Sequence, residues 1–178
     1  MADDVSKIEK YVRNVPDFPK PGIQFKDITP LLGSPSGFKA AIAAMVATVP
    51  DEGIDVVVGI ESRGFIFGVP LAMALGVGFV PVRKPGKLPG PIYEESFDLE
   101  YGSSVLSMHQ DALKPGQRVL LVDDLLASGG TLIAAGNLVR RAQAVPAHVS
   151  VLIELAAQGG RTQLAAQGLT SVSSVLSY

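Results

Sequence analysis

The sequence contains no cysteine. That excludes disulfides, thiol nucleophiles and cysteine-based metal sites together, and it fits a reducing cytosol. Histidine is almost as scarce. His109 and His148 are the 2 present, too few and too far apart for a His-rich metal centre. Charge is sparse as well, at 18% of residues, and 15 Lys+Arg against 17 Asp+Glu leave a net −2. Such a chain exerts little long-range pull on nucleic acid or an anionic membrane, so neither is expected as a partner. No apolar run suits a membrane helix, because the best stretch, Phe65 to Val82, is broken by Gly68, Pro70, Gly76, Gly78 and Pro81. The opening MADDVSKIEKYVRNV has no apolar signal segment. A cytoplasmic protein is therefore expected. Neither a Gly-x-x-x-x-Gly-Lys-Ser/Thr loop nor a Gly-x-Gly-x-x-Gly turn occurs, which speaks against a nucleoside triphosphatase and a dinucleotide-binding fold.

What remains is ample for a core. The 178 residues are 47% apolar, and their mean hydropathy of +0.33 argues against disorder. One domain spanning 1–178 is expected. Val5, Ile8, Tyr11, Val12 and Val15 recur at helical spacing, predicting a helix over 3–14. A Pro- and Gly-rich loop follows over 18–35, and Ser36 can cap a helix running to Val49. Asp55 to Ile60 reads as a strand buried on both faces. A helix over 63–75, ended by Gly76, and a strand over 77–82 come next. Residues 83–103 form a long excursion, and such loops are usually functional. Strands at 104–108, 118–123, 148–155 and 172–177, with helices at 129–143 and 162–167, complete the pattern. The alternation predicts an α/β fold, a mostly parallel twisted sheet flanked by helices.

The strongest motif is Val119-Leu-Leu-Val-Asp-Asp-Leu-Leu-Ala-Ser-Gly-Gly-Thr131. A buried strand runs into two adjacent carboxylates, Asp123 and Asp124, and a small-residue turn opens a helix. Ligands of parallel sheets bind at the carboxyl ends of strands. Ala127, Ser128, Gly129, Gly130 and Thr131 place free backbone N–H groups at a helix N-terminus, an anion site. Carboxylates repel phosphate but suit the hydroxyls of a sugar, or a metal counter-ion. Carboxylate pair and phosphate cradle together describe a sugar phosphate.

This segment resembles the phosphoribosyl pyrophosphate (PRPP) signature of the type I phosphoribosyltransferases. Further stretches resemble the adenine phosphoribosyltransferases within that family. These are Phe18-Pro-Lys-Pro-Gly-Ile-Gln-Phe-Lys-Asp-Ile28, Gly59-Ile-Glu-Ser-Arg-Gly-Phe65, Phe79-Val-Pro-Val-Arg-Lys84, Gly86-Lys-Leu-Pro89 and Leu99-Glu-Tyr-Gly102. The likeness runs from about Ile8 to the last residues. It implies a Mg²⁺-dependent, homodimeric enzyme of purine salvage that converts adenine and PRPP to AMP and pyrophosphate. It also divides the chain into an N-terminal helix and adenine-binding hood over 1–35, and a core over 36–178 with a flexible catalytic loop at about 85–103.

The resemblance carries roles to particular positions. Glu61, Ser62 and Arg63 form a pyrophosphate loop, with Arg83, Lys84 and Lys87 as a further cationic clamp. On physical grounds alone those three cations read as a solvated basic turn, and the resemblance reverses that reading. Ala127 to Thr131 hold the 5′-phosphate, and Asp123 and Asp124 hold the ribose, with Mg²⁺ bound mainly through PRPP and possible contact near the two aspartates. Ile23, Gln24, Phe25 and Lys26 receive adenine, Phe25 offering a stacking face; as a bare residue it could equally plug the core. Glu100 and Tyr101 sit near the purine, with Glu100 handling its proton, and Arg63 acts beside them in catalysis. In 6-oxopurine transferases an Asp usually stands where Ala127 does, so adenine is the expected base. A PRPP-sensing regulator on the same fold would need a basic nucleic-acid-binding module, and no segment is left for one.

Overall fold

The computed structural model describes residues 2–51, 53–98 and 103–178. In chain order the elements are α1 (Ala2–Glu9), β1 (Arg13–Pro16), β2 (Gln24–Asp27), α2 (Thr29–Leu32), α3 (Pro35–Ala47), β3 (Val56–Ile60), α4 (Arg63–Leu75) and β4 (Gly78–Val82). There follow β5 (Ile92–Asp98), β6 (Ser103–His109), β7 (Arg118–Leu126), α5 (Gly130–Arg141), β8 (Val145–Glu154), a 3₁₀ turn at Ala156–Gln158, α6 (Gly160–Ala166) and β9 (Val172–Ser177).

The central sheet has 5 strands in the order β4-β3-β7-β8-β9, all parallel. Every residue of β3 is buried, as a strand covered on both faces requires. Alternate residues serve opposite layers. Val56, Val58, Ile60, Val119, Leu121 and Val151 pack toward α5 and β6, while Val57, Leu120 and Val122 meet α1, α3 and α4. The parallel α/β expectation is borne out. β3 and β7 are neighbours, yet the chain leaves them toward opposite edges of the sheet. That divergence opens a crevice at their carboxyl ends, where such folds bind ligands.

Four local readings need correction. The first helix stops at Glu9 rather than 14. Val12 and Val15 continue the apolar spacing, but Arg13–Pro16 pairs antiparallel with Gln24–Asp27, so tertiary pairing overrides periodicity. The loop over 18–35 contains β2 and the short α2. The α3 cap is Ser34, whose Oγ accepts the Gly37 N–H at 3.1 Å; Ser36 lies inside the helix, after Pro35 at its first position. Finally, β7 does not end at the carboxylates. Leu125 and Leu126 continue it against Ile153 and Glu154. Two charges read as a strand terminus, but here they sit three and two residues inside one.

Candidate active site

A cleft of about 250 Å³ lies at the carboxyl end of β7. Arg63, Asp123, Asp124 and the 127–131 turn line it. A larger apolar groove, about 330 Å³, lies between α1, α3 and β9. No charged side chain lines that groove, so the smaller cleft is where chemistry can occur.

The turn is held open by its packing. Gly129 takes a left-handed conformation, φ 90°, and heads α5. Across from it, Gly160 touches the turn so closely that a Cβ there would lie 2.0 Å from the Ala127 carbonyl oxygen. The first N–H groups of α5 have no intrahelical acceptor. With the exposed Ser128 and half-buried Thr131 hydroxyls beside them, they are arranged as a cradle that can take one phosphate group.

The carboxylates are crowded. Asp123 Oδ1 accepts the Asp124 N–H at 2.9 Å, and Asp124 Oδ2 meets Arg63 Nε at 2.9 Å. Burial, then the Asp124 charge, push the Asp123 carboxyl well above its ordinary value. Burial also raises Asp124, against the pull of Arg63. The Arg63 guanidinium pairs with Asp124 and leaves the Asp123 carboxylate without an ion pair among the described residues. A ligand bringing hydroxyl donors would satisfy it.

Arg63 joins this cleft to the hood. Its guanidinium lies 5.7 Å from the Phe25 ring, and Phe18 packs edge-on against Phe25 at 5.1 Å. Lys26 departs to the other side of β2, its Nζ 3.6 Å from the Tyr178 ring centre. Gln24 is exposed and its Oε1 accepts from Asn14 at 2.7 Å; Ile23 is exposed too. The ribbon is braced by Arg13 on Asp27, whose carboxyl is lowered to about 2, first by hydrogen bonds from Thr29 and then by Arg13.

The second cationic group stands at the ends of β3 and β4, outside the cleft lining. Glu61 organises it. Its Oε2 accepts the Lys84 N–H at 2.9 Å and Arg83 Nε at 3.2 Å, and Arg83 Nη1 donates to the Lys87 carbonyl at 3.3 Å. Arg83 is thus engaged, while Ser62, Lys84 and Lys87 are exposed. The Glu61–Ser62 peptide is cis. The resemblance puts Glu61 in the pyrophosphate loop with Ser62 and Arg63; here its carboxylate is occupied by Arg83 and the Lys84 N–H. A third cluster is structural. Asn137 Nδ2 donates to Glu95 Oε1 at 2.8 Å, and Arg141 lies against Glu94, Glu95 and Tyr93, tying the β5–β6 hairpin to α5. Glu100 and Tyr101 lie outside the described residues. His148 is buried between Ser171 and Ser173, as a structural histidine would be.

A parallel α/β sheet with a phosphate cradle and paired carboxylates at its switch point defines a protein that handles a phosphorylated sugar. Comparison with known proteins sharpens this. The phosphoribosyl transferase domain pattern matches residues 32–172. An adenine phosphoribosyltransferase of Cutibacterium acnes is 56% identical over 95% of both chains. One from Thermobifida fusca is 51% identical over 98% of this chain and 100% of its own. The crystal structure of adenine phosphoribosyltransferase from Thermoanaerobacter pseudethanolicus superposes with a TM-score of 0.93 at 42% identity, covering 98% of this chain and 99% of that one. A Saccharomyces cerevisiae structure, complexed with an imino-altritol bisphosphate and adenine, gives 0.91 at 38% identity over 99% and 100%. The chain belongs to the phosphoribosyltransferase family, on its adenine phosphoribosyltransferase branch.

Proposed function

We propose that this protein transfers the 5-phosphoribosyl group of PRPP to N9 of adenine, giving AMP and pyrophosphate in purine salvage. The observation that carries the reading is one cleft uniting a turn of free helix N-terminal N–H groups, two crowded carboxylates and Arg63. The 5′-phosphate sits on Ala127 to Thr131. The ribose hydroxyls donate to Asp123 and Asp124. Pyrophosphate leaves toward Ser62 and Arg63, with Lys84 and Lys87 free to reach it and Arg83 shaping their turn through Glu61. N9 of adenine forms the new bond to the anomeric carbon as the bond to pyrophosphate breaks. Positive charge builds on the sugar and negative charge on the leaving group, so fixed cations lower the barrier. Adenine stacks on Phe25, read by backbone groups of Ile23, Gln24 and Lys26. Glu100 takes the proton that N9 gives up, with Tyr101 beside it.

Among the described residues no cluster of three metal-ligating side chains occurs. Mg²⁺ is commonly held by one or two carboxylates plus substrate phosphates. Asp123 and Asp124 are the groups placed to contribute, and the ion would neutralise charge on the pyrophosphate. No described helix is long and apolar enough to cross a membrane; with the lack of cysteine, this supports a cytoplasmic setting.

The test is to mix protein, PRPP and Mg²⁺ with each purine base and assay nucleotide and pyrophosphate. Adenine should be used at least ~10²-fold better than hypoxanthine in kcat/KM. Adenine presents a donor at position 6 and hypoxanthine an acceptor. A mismatched buried polar pair costs ~1–3 kcal/mol, and two such contacts reach that ratio. Equal efficiency with both bases would move the protein to a broad purine transferase.

A homodimer is part of the same reading. Helix α4 presents Ile66, Val69 and Met73 to solvent at 36%, 42% and 78% exposure. They recur at helical spacing as one apolar stripe, immediately after the Arg63 that lines the cleft. A second copy of the chain would bury it. Met73→Glu combined with Val69→Asp should convert the dimer to an 18.6 kDa species in light scattering at micromolar concentration. An unchanged mass would place the interface elsewhere, and a monomeric parent protein would remove it.

A further inference from the structure

The hood is a ribbon of two strands, β1 and β2, that joins no other strand. Two strands alone are marginal in water. Something else must fix this ribbon over the cleft. Its two faces are pinned differently. On the cleft side, Phe25 lies against Arg63 at 5.7 Å. On the opposite side, the Lys26 ammonium sits on the Tyr178 ring at 3.6 Å.

Tyr178 is itself firmly seated. Its N–H donates to the Glu154 carbonyl at 2.9 Å, and its carbonyl accepts the Ala156 N–H at 2.8 Å. Its ring packs on the core layer beneath α1 and α3. Burial, and then the charge and hydrogen bond of Glu9 on α1, raise its phenol above the ordinary value. The ring therefore stands as a fixed platform beside the carboxyl end of β8. The cation on it belongs to the residue next to Phe25.

We propose that Tyr178 is a positioning residue for the adenine-binding hood: its ring holds Lys26, and through Lys26 it fixes the β2 backbone and the Phe25 face that receive the base. This rests on the hood being the adenine site. Tyr178 does not line the cleft that holds the 127–131 turn. It sets where the base stacks and leaves the sugar phosphate's own contacts alone. The effect belongs to ground-state binding of one substrate, so it appears in KM for adenine rather than in kcat.

The experiment is steady-state kinetics on the full chain with both substrates varied. Tyr178→Leu keeps apolar bulk and removes the ring face. It should raise KM for adenine about three- to tenfold, the range a partly buried cation–ring contact supports. KM for PRPP and kcat should stay within about twofold. Lys26→Met tests the contact from its other side and should give the same split, whether or not Tyr178→Leu folds well. The double variant should be no worse than the larger single one, because both remove one interaction. Tyr178→Phe, which restores the ring without the hydroxyl, should rescue adenine KM. Both KM values rising together, additive singles, or no change in adenine KM would overturn the proposal. Phe25→Leu separates the two layers of the argument. If it leaves adenine KM unchanged, the hood does not hold the base and the proposal falls with that reading. If it raises adenine KM while Tyr178→Leu and Lys26→Met do not, the proposal alone falls.

Discussion

Asp123→Asn and Asp124→Asn are expected to fold as the parent does and to lose about 10- to 150-fold each in kcat/KM. Asparagine keeps the shape and one acceptor but removes the charge. Hydrogen bonds to a charged acceptor are worth ~1.5–3 kcal/mol, which sets the range. The fold survives because the acceptor for the Asp124 N–H persists on the new side chain at 123. Stability should move differently from activity. Burial and the neighbouring charge raise the Asp123 carboxyl, so the folded chain holds this proton more tightly than the unfolded chain does. At pH below the ordinary carboxylate value both states are protonated. As pH climbs from that value through the raised one, the unfolded chain ionises first and folding stability falls. The Asn side chain has no proton to lose. Asp123→Asn should therefore melt a few degrees above the parent at pH 8, on the order of 1 kcal/mol, with the gap closing toward pH 4. Asp124→Asn should gain less, since it strips Arg63 of its ion pair. Parental kinetics in both folded variants would dissolve the ribose assignment.

Gly160→Ala should do the most structural damage for one methyl group. The added Cβ would lie 2.0 Å from the Ala127 oxygen and 2.7 Å from Leu126 Cδ1. The first of these is backbone and cannot rotate away. Either α6 or the phosphate turn must shift, and overpacking of this kind costs ~1–3 kcal/mol. For a chain of this size that corresponds to a fall in Tm of roughly 2–12 °C. The turn is also the cradle, and a displacement near 1 Å can cost ~10²-fold in rate. PRPP-dependent kcat/KM should drop by about that factor. Gly78→Ala is the control, since a Cβ there meets nothing within 4 Å; Tm and kinetics should stay close to the parent's. A Gly160→Ala enzyme indistinguishable from the parent would show that the turn yields freely.

The central sheet was legible because each of its strands is a short apolar run set between turn residues. Val56 to Ile60 could hardly be anything but a doubly covered strand. The cradle was legible for a related reason: Ser128-Gly129-Gly130-Thr131 after a buried strand is local chemistry. What escaped was long-range. Nothing near Val12 announces that Arg13 will pair with Asp27. Arg83 reads as a free cation until Glu61, 22 residues earlier, arrives on the adjacent strand end. Glu95 reads as a solubilising loop charge until Asn137 on α5 binds it. Gly160 lies 33 positions from the carbonyl it must avoid, and only the fold brings the two together. Tyr178 shows no spacing relation to Lys26 at all.

The Arg63–Asp124 ion pair makes ligand entry an exchange of partners. Before any ligand arrives, Asp124 already has its counter-charge at 2.9 Å. A polyanion that draws Arg63 away leaves the buried Asp124 carboxylate without its counter-charge, which is unfavourable. Inorganic pyrophosphate alone has only its own contact with Arg63 to set against that loss. A pyrophosphate carried on a ribose brings hydroxyls to the abandoned oxygen in the same event. If PRPP binds here as proposed, the cleft should discriminate against anions that lack the sugar, although no group in it is shaped to exclude them.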